Sequence, residues 1–157
     1  MNISCQKNWV PIVMMWVALL VGPTPAHAGE DHPHHISLFG GAKISSGQVA
    51  PLIGAEYEFR LEALNGLLGI GVVTDAAFGD HTTLVVGPGL FIHPAGDLVL
   101  VLVPALETDF SHEAFALIFS TIYHFHVGDL TVSPKFDLEY ANNHLAYITS
   151  LGIGIGF

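Results

Sequence analysis

The sequence predicts an all-β protein, an eight-stranded antiparallel up-and-down barrel, and three observations lead to that prediction. Hydrophobic and polar residues alternate with a period of two through most of the chain after Gly29, as they do in strands with two different faces. Short clusters of Gly, Asn, Asp, Pro and Ser interrupt the alternation, as turn residues do. The alternation also sorts the side chains into one uncharged face and one face that holds the charged residues.

The alternation defines eight segments of similar length. It is clearest at the end of the chain, where Leu145, Tyr147 and Thr149 fall on one face and small residues fall on the other. Strands are predicted over residues 35–45, 49–61, 64–75, 81–93, 97–109, 113–127, 129–140 and 144–157. Each strand with its turn takes about 16 residues, which is enough for membrane-crossing strands because these need roughly 9–11 residues when tilted.

Residues 1–28 have the organisation of a cleaved secretory signal peptide. Lys7 supplies a positive charge, residues 9–22 supply an apolar run, and Ala26-His27-Ala28 supplies a small-x-small cleavage site. A retained transmembrane helix is the alternative, but the run is short of the roughly 20 residues that such a helix needs. Cleavage would remove Cys5, and with it disulfide and thiol chemistry. We expect a flexible His-rich tail over residues 29–35 and a barrel domain over residues 36–157.

The composition excludes two classes of protein. The chain has 4 basic and 14 acidic residues, and 51% of it is hydrophobic while only 11% is charged. So acidic a chain repels phosphate backbones, which excludes nucleic acid as a partner. So apolar a chain is not intrinsically disordered. Soluble domains carry about a quarter charged residues, and the shortfall here needs a physical reason.

The orientation of the two faces decides between a soluble barrel and a membrane barrel. The interior of an eight-stranded barrel is only just wide enough for side chains, and the apolar face is too rich in Leu, Ile, Phe and Tyr to fit inside it. Aromatic residues also gather near the two ends of the predicted strands, as they do in membrane barrels. We therefore expect a transmembrane barrel with its apolar face toward lipid and a packed polar lumen.

The last strand resembles the C-terminal assembly signal of bacterial outer-membrane β-barrels, in which a terminal aromatic residue follows apolar residues at alternate positions. The residues that match are Tyr147, Leu151, Ile153, Ile155 and Phe157. With eight strands and a polar lumen, the chain is similar to the small barrels of the OmpA/OmpX type. The resemblance implies residence in the outer membrane of a Gram-negative bacterium, contact with its lipid, insertion by the barrel-assembly machinery, and periplasmic termini. The predicted extracellular loops are shorter than in many relatives.

The charged residues of the inward face form a predicted lumen charge network. Its members are Lys43, Glu56, Glu58, Arg60, Asp75, Glu107, Asp109, Lys135, Asp137 and Glu139. Several of the acids fall toward the extracellular ends of their strands, where they would form an acidic mouth. Carboxylate oxygens suit cations such as Ca²⁺. The alternative is a network that is neutralised by its own lysines and by water.

Six histidines are candidates for a metal site at the terminal rim of the barrel. They are His32, His34, His35, His93, His124 and His126. Imidazole is a good ligand for Zn²⁺, Cu²⁺ and Ni²⁺. No cysteine and no fixed ligand spacing accompanies these histidines, so polar residues at a membrane–water boundary are the alternative interpretation.

The sequence predicts no catalysis and no cofactor. Outer-membrane lipid A and phospholipid hydrolases use a Ser/His pair on the lipid-facing surface, whereas Ser120, Ser133 and Ser150 are assigned here to the lumen. The best remaining pairing, Ser111-His112-Glu113, lies in a predicted loop. We expect a structural or envelope role. The alternatives are a barrel that binds a small ligand or a cation at its acidic mouth and a lipid-modifying enzyme.

Overall fold

The computed structural model describes residues 32–62 and 66–157, which form a closed antiparallel β-barrel. The strands are β1 His34–Ser45, β2 Gln48–Leu61, β3 Leu68–Phe78, β4 Thr82–Ala95, β5 Leu98–Thr108, β6 Glu113–Tyr123, β7 Phe125–Val127, β8 Leu130–Ala141 and β9 His144–Gly156. The predicted signal peptide and residues 29–31 of the predicted tail lie outside the described residues. Within the described ranges, no helix is both long and apolar enough to cross a membrane.

The barrel wall has eight strands because β6 and β7 together form one of them. Both pair antiparallel with β8, and they are separated only at His124. Neighbouring strands in the sequence pair with each other around the wall, and β1 pairs with β9 to close it. The predicted eight-stranded antiparallel up-and-down barrel is therefore confirmed, and only the sixth strand, predicted as an uninterrupted segment over 113–127, is broken.

The predicted strand boundaries agree with the structure within two residues, except those of β3. β1 begins at His34, because the backbones of His34 and Phe157 exchange two hydrogen bonds of 3.2 and 2.9 Å. The predicted tail was therefore too long by two residues at its C-terminal end. β3 begins and ends a few residues later than predicted, because the preceding turn contains Gly66, whose φ of 71° few other residues adopt.

The outer wall of the barrel is apolar. Outward-pointing residues such as Leu38 and Ile153 are 66% and 58% exposed. Apart from Glu113 at the start of β6, the exposed strand residues in the described ranges are uncharged. A wall of this kind is stable in contact with lipid chains and unstable in contact with water. The structure therefore confirms that the apolar face points outward, as predicted.

The barrel has two ends, which we call the terminal end, where His34 and Phe157 lie, and the far end, where Ser45 and His144 lie. Exposed aromatic side chains occur near both. Those near the terminal end are Tyr57, Phe59, Phe125 and Phe157, and those near the far end are Phe110, Phe115, Tyr140 and Tyr147. At the terminal end, His34 stacks on Phe157 with ring centres 5.4 Å apart.

The lumen is only half polar, which corrects the prediction of a polar lumen. Strands β4 to β6 contribute mainly aliphatic side chains to it, among them Val85, Val99, Val101, Val103, Ile118 and Ile122. Strands β8, β1 and β2 contribute most of the charged ones. The physical reason is that a narrow interior supplies few hydrogen-bond partners, and a buried polar group without a partner costs free energy whereas an aliphatic one does not.

Candidate functional site

The candidate site is the polar half of the lumen, which is formed by alternate residues of a few strands. Because successive side chains of a strand point to opposite faces, β8 turns Lys135, Asp137 and Glu139 inward together, and all three are buried. β2 contributes Glu56 and Glu58 in the same way. The predicted side-chain orientation of these five residues is the one seen in the structure.

Lys135 lies at the centre of the polar half and contacts two carboxylates. Its Nζ is 3.1 Å from Oε2 of Glu56 and 3.9 Å from Oδ2 of Asp137. It also lies 4.1 Å from the centre of the Phe39 ring, a distance at which a cation is attracted to an aromatic face. The hydroxyl of Ser37 donates a 2.9 Å hydrogen bond to the other oxygen of Glu56. The members of this central cluster are all buried in the lumen.

Lys43 forms a second cluster at the far end. Its Nζ donates to Oε2 of Glu107 at 2.7 Å and to Oε1 of Glu139 at 2.6 Å. A pocket of about 160 Å³ adjoins the three side chains and is also lined by Ser45 and Asn142, among others. The acidic mouth predicted from the sequence therefore holds a lysine between two of its carboxylates.

The carboxylates of the lumen outnumber the cations beside them. Within the described residues, Oδ1 of Asp75, Oδ1 of Asp137 and Oε2 of Glu139 are buried without a hydrogen-bond partner. The carboxylate of Asp75 interacts electrostatically with both lumen lysines and with two other acids, Asp137 and Glu107. Unpartnered buried oxygens of this kind require water, protons or small cations in the native barrel.

Asp109 does not join the lumen network to which the sequence assigned it. It lies in the loop after β5, where its Oδ1 accepts hydrogen bonds from the backbone N–H of Ser111 at 2.9 Å and of His112 at 2.7 Å. These two donors hold the pKa of Asp109 below its ordinary value. The alternation misassigned it because β5 ends at Thr108, and beyond a strand the period of two no longer fixes direction.

A third cluster lies at the terminal end. Nε2 of His93 is 2.6 Å from Oε1 of Glu58, and Nδ1 of the same ring is 3.4 Å from Nη2 of Arg60. Nε of Arg60 lies 3.9 Å from that Glu58 oxygen. The guanidinium is partly exposed, so this cluster marks the boundary between the lumen and the solvent at the terminal end.

The six candidate histidines lie toward the terminal end of the barrel but point in different directions. His34 lies on the outer wall, with Nδ1 2.8 Å from the Tyr57 hydroxyl. His126 lies on β7 beside Asp97, at 3.5 Å. His35 and His124 face each other in the lumen with ring centres 5.0 Å apart.

His93 is held by the Glu58 cluster, and His32 lies beside Gly156 near the end of β9. Within residues 32–62 and 66–157, no group of three or more His, Cys, Asp or Glu side chains is arranged to hold a metal ion. Among the described candidate histidines, His35 and His124 are the two whose rings are in contact, and both lie in the lumen.

Sequence reasoning missed the small polar and aromatic partners of the charged groups. Ser37 and Phe39 of β1 hold Glu56 and Lys135, and Thr131 and Ser133 of β8 contact the lumen histidines. Their inward positions follow from the alternation, so the signal for their placement was present. The identity of each partner across the lumen depends on the register of distant strands, which the alternation does not supply.

The residues of the predicted assembly signal all lie on β9 or directly after it. Tyr147, Leu151, Ile153, Ile155 and Phe157 point outward and are exposed on the lipid-facing wall. The four signal residues that belong to β9 each pair with a residue of β1 on one side and a residue of β8 on the other. The strand that carries the signal is therefore also the strand that closes the barrel.

Solved structures with similar folds are transmembrane barrels. A structure from the de novo design of transmembrane β-barrels has a TM-score of 0.58 at 15% identity and covers 80% of this chain and 99% of that one. The crystal structure of Neisserial surface protein A (NspA) has a TM-score of 0.54 at 12% identity and covers 79% and 96%. The solution structure of the de novo designed TMB2.3 has a TM-score of 0.50 at 14% identity and covers 82% and 98%.

No protein-family model and no curated protein sequence matches the chain. The structural likenesses, all below 25% identity, concern the fold alone. They agree with the apolar outer wall, the aromatic side chains near both ends and the closure of β1 on β9. The chain has the fold of a small eight-stranded transmembrane β-barrel.

Proposed function

We propose that this protein is an outer-membrane β-barrel of a Gram-negative bacterium that has a structural role in the envelope, conducts no solutes and carries out no catalysis. The observation that carries the proposal is the filled lumen. Large side chains from different parts of the wall, Phe39, Leu52, Phe91, Ile122 and Ile148, are almost completely buried inside it. An eight-stranded barrel leaves no aqueous channel once such side chains occupy its interior.

Ion pairs close the lumen at three levels. Lys43 bridges Glu107 and Glu139 at the far end, and Lys135 binds Glu56 in the middle. The cluster of Glu58, His93 and Arg60 occupies the terminal end. A solute crossing the barrel would have to separate buried ion pairs, each of which costs about 3–5 kcal/mol to break.

The location in the outer membrane rests on three features together. The outer wall is apolar between aromatic side chains at both ends, residues 1–28 have the pattern of an export signal, and β9 resembles an outer-membrane assembly signal. We infer from the same features that the terminal end faces the periplasm. The partners on this proposal are outer-membrane lipid and the barrel-assembly machinery.

The absence of catalysis is proposed because the closest Ser/His contact is inaccessible. Oγ of Ser133 lies 2.7 Å from Nδ1 of His124, which is suitable for a nucleophile and its base. Both side chains are buried in the lumen, however, so neither an acyl chain nor a headgroup reaches the hydroxyl. His112 of the loop candidate lies 3.7 Å from Asp109, and its side chain is 88% exposed to solvent.

Three measurements test the proposal. The outer-membrane fraction is expected to contain a band whose gel mobility changes on boiling, and recovery of the protein in the periplasmic wash would contradict the location. Purified barrel in planar bilayers is expected to give no discrete conductance steps. A variant that opens the lumen, Phe91→Gly with Lys135→Gly, serves as the control that conducts.

The lipid A mass spectrum of a deletion strain is expected to be unaltered, and a changed spectrum would support a lipid-modifying enzyme.

A cation-binding role for the far-end mouth is the second candidate, and it is favoured by one observation. Oε2 of Glu139 is buried and has no hydrogen-bond partner among the described residues, and Glu139 lines the far-end pocket. Lys43 competes with any cation there, since it already contacts Glu107 and Glu139. Calcium titration of the folded barrel and of its Glu139→Gln variant tests this role. The folded barrel is expected to bind calcium and the variant is expected not to, and any other result would contradict the role.

A further inference from the structure

Two imidazoles in the lumen are spaced as ligands of a single metal ion would be. The ring centres of His35 and His124 are 5.0 Å apart and their planes are inclined by 56°. Two imidazoles that bind one tetrahedral Zn²⁺ ion, each at about 2.1 Å, have ring centres roughly 5 Å apart. The two rings come from opposite parts of the chain, β1 and the break between β6 and β7, so the closed barrel is what brings them together.

The second nitrogen of each ring is held by a hydroxyl group of β8. Nε2 of His35 lies 3.0 Å from Oγ1 of Thr131, and Nδ1 of His124 lies 2.7 Å from Oγ of Ser133. In the part of the chain that the structure describes, Nδ1 of His35 and Nε2 of His124 make no hydrogen bond. Ligating histidines usually have one nitrogen on the metal and the other bound to a neighbouring acceptor, which fixes the tautomer and the ring orientation.

The surroundings of the pair keep space for the rings. A side chain at position 154 would collide with the imidazole of His35, so Gly154 leaves room for it. His124 points into the lumen because it continues the inward alternation of Ile118, Ser120 and Ile122 on β6.

We propose that His35 and His124 bind one divalent transition-metal ion of the class that prefers imidazole, namely Zn²⁺, Cu²⁺ or Ni²⁺. No third His, Asp or Glu of the described residues completes the group, so water fills the remaining positions. A site with two protein ligands and open positions exchanges its metal readily, which suits capture at the terminal end of the barrel rather than permanent structural binding. This proposal does not depend on the structural role proposed above.

The test is metal titration of the mature chain folded in detergent micelles, with Cu²⁺ or Zn²⁺ alone as the probe. Calorimetry is expected to show one bound equivalent that exchanges readily, and the electron paramagnetic resonance spectrum of the Cu²⁺ form is expected to show coupling to two imidazole nitrogens. His35→Gln and His124→Gln, singly, are expected to weaken binding more than about 10-fold. The gel shift on boiling reports whether each variant has folded.

Two matched controls identify the ligands. His126→Gln removes a half-exposed imidazole on β7 that lies 3.5 Å from Asp97, and it is expected to leave affinity unchanged. His32→Gln combined with His34→Gln removes imidazoles near the N-terminus and is also expected to leave it unchanged. Binding that survives in both lumen variants, or that disappears in the N-terminal variant, overturns the proposal. Such a result would not affect the fractionation and conductance measurements, so the metal site can be refuted while the proposed structural role stands.

Discussion

Replacement of Lys135 by methionine tests the idea that ion pairs hold the lumen closed. The Lys135 side chain is 4% exposed, and its ammonium contacts Glu56 at 3.1 Å and Asp137 at 3.9 Å. Methionine keeps most of the volume and its contact with the Phe39 ring but removes the charge. Two buried carboxylates then lose their only close cation among the described residues.

The size of the effect follows from the burial of the partners. Breaking a buried ion pair by removing one member costs about 3–5 kcal/mol, because the other charge stays desolvated without compensation. Methionine adds little strain, since volume-conserving changes cost less than about 1.5 kcal/mol. We expect the free energy of unfolding of Lys135→Met to fall by about 3–5 kcal/mol. The double variant Lys135→Met with Glu56→Gln is expected to be more stable than the single one, with a coupling energy of roughly 2 kcal/mol.

The assay is urea unfolding of the barrel in phospholipid vesicles, followed by the folded and unfolded gel bands. Tryptophan fluorescence is unsuitable, because Trp9 and Trp16 both lie in the predicted signal peptide. Arg60→Met is the matched control: it removes the same charge from a side chain that is 37% exposed, so a loss below about 1 kcal/mol is expected. A Lys135→Met effect no larger than that of the control would refute the reasoning and indicate a well-hydrated lumen.

Three further perturbations probe the wall, one loop and the last strand. Gly71→Ala is expected to block folding, because its Cβ would collide with the backbone carbonyl of Tyr57. Gly40→Ala meets only an ordinary contact, 3.9 Å from the carbonyl oxygen of Leu52, and is expected to fold normally in the gel-shift assay. Asp109→Ala is expected to speed hydrogen exchange of the two loop amides that Asp109 binds. Because the pKa of Asp109 is lowered on folding, acidification through that pKa is expected to lower the protection factors of these two amides in the wild type and not in the variant. Phe157→Ala is expected to reduce the amount of barrel assembled in cells more than refolding of the purified chain, and equal effects on both would contradict a role in assembly.

The sequence predicted the barrel well because one physical rule governs most of it. A strand with lipid on one side and a packed interior on the other alternates along its whole length, so strand number, closure and the outward direction of residues such as Leu38 and Ile153 could be read directly. The rule fails where a strand ends. Asp109 lies one residue beyond the last residue of β5 and turns into its own loop instead of the lumen.

The contacts within the lumen could not be predicted for a different reason. Alternation places Lys43 and Lys135 inside but does not say which acid each one meets, because that depends on the stagger between strands that are distant in the sequence. Lys43 meets Glu107 of β5 as well as Glu139 of β8. The mixture of aliphatic and charged residues is likewise a property of the closed interior, where only part of the volume can satisfy polar groups.

The positions of the ion pairs indicate that they specify closure of the barrel more than they add stability. Lys43 connects β1 to β5, and Lys135 connects β8 to β2, so both pairs span strands that are not hydrogen-bonded neighbours. A buried ion pair contributes little net stability compared with well-packed apolar residues. A slip of one residue in the pairing of β8, however, would turn its inward charges toward lipid. The polar half lies beside the pairing of β1 with β9 that closes the barrel, so charges turned toward lipid by such a slip would oppose closure.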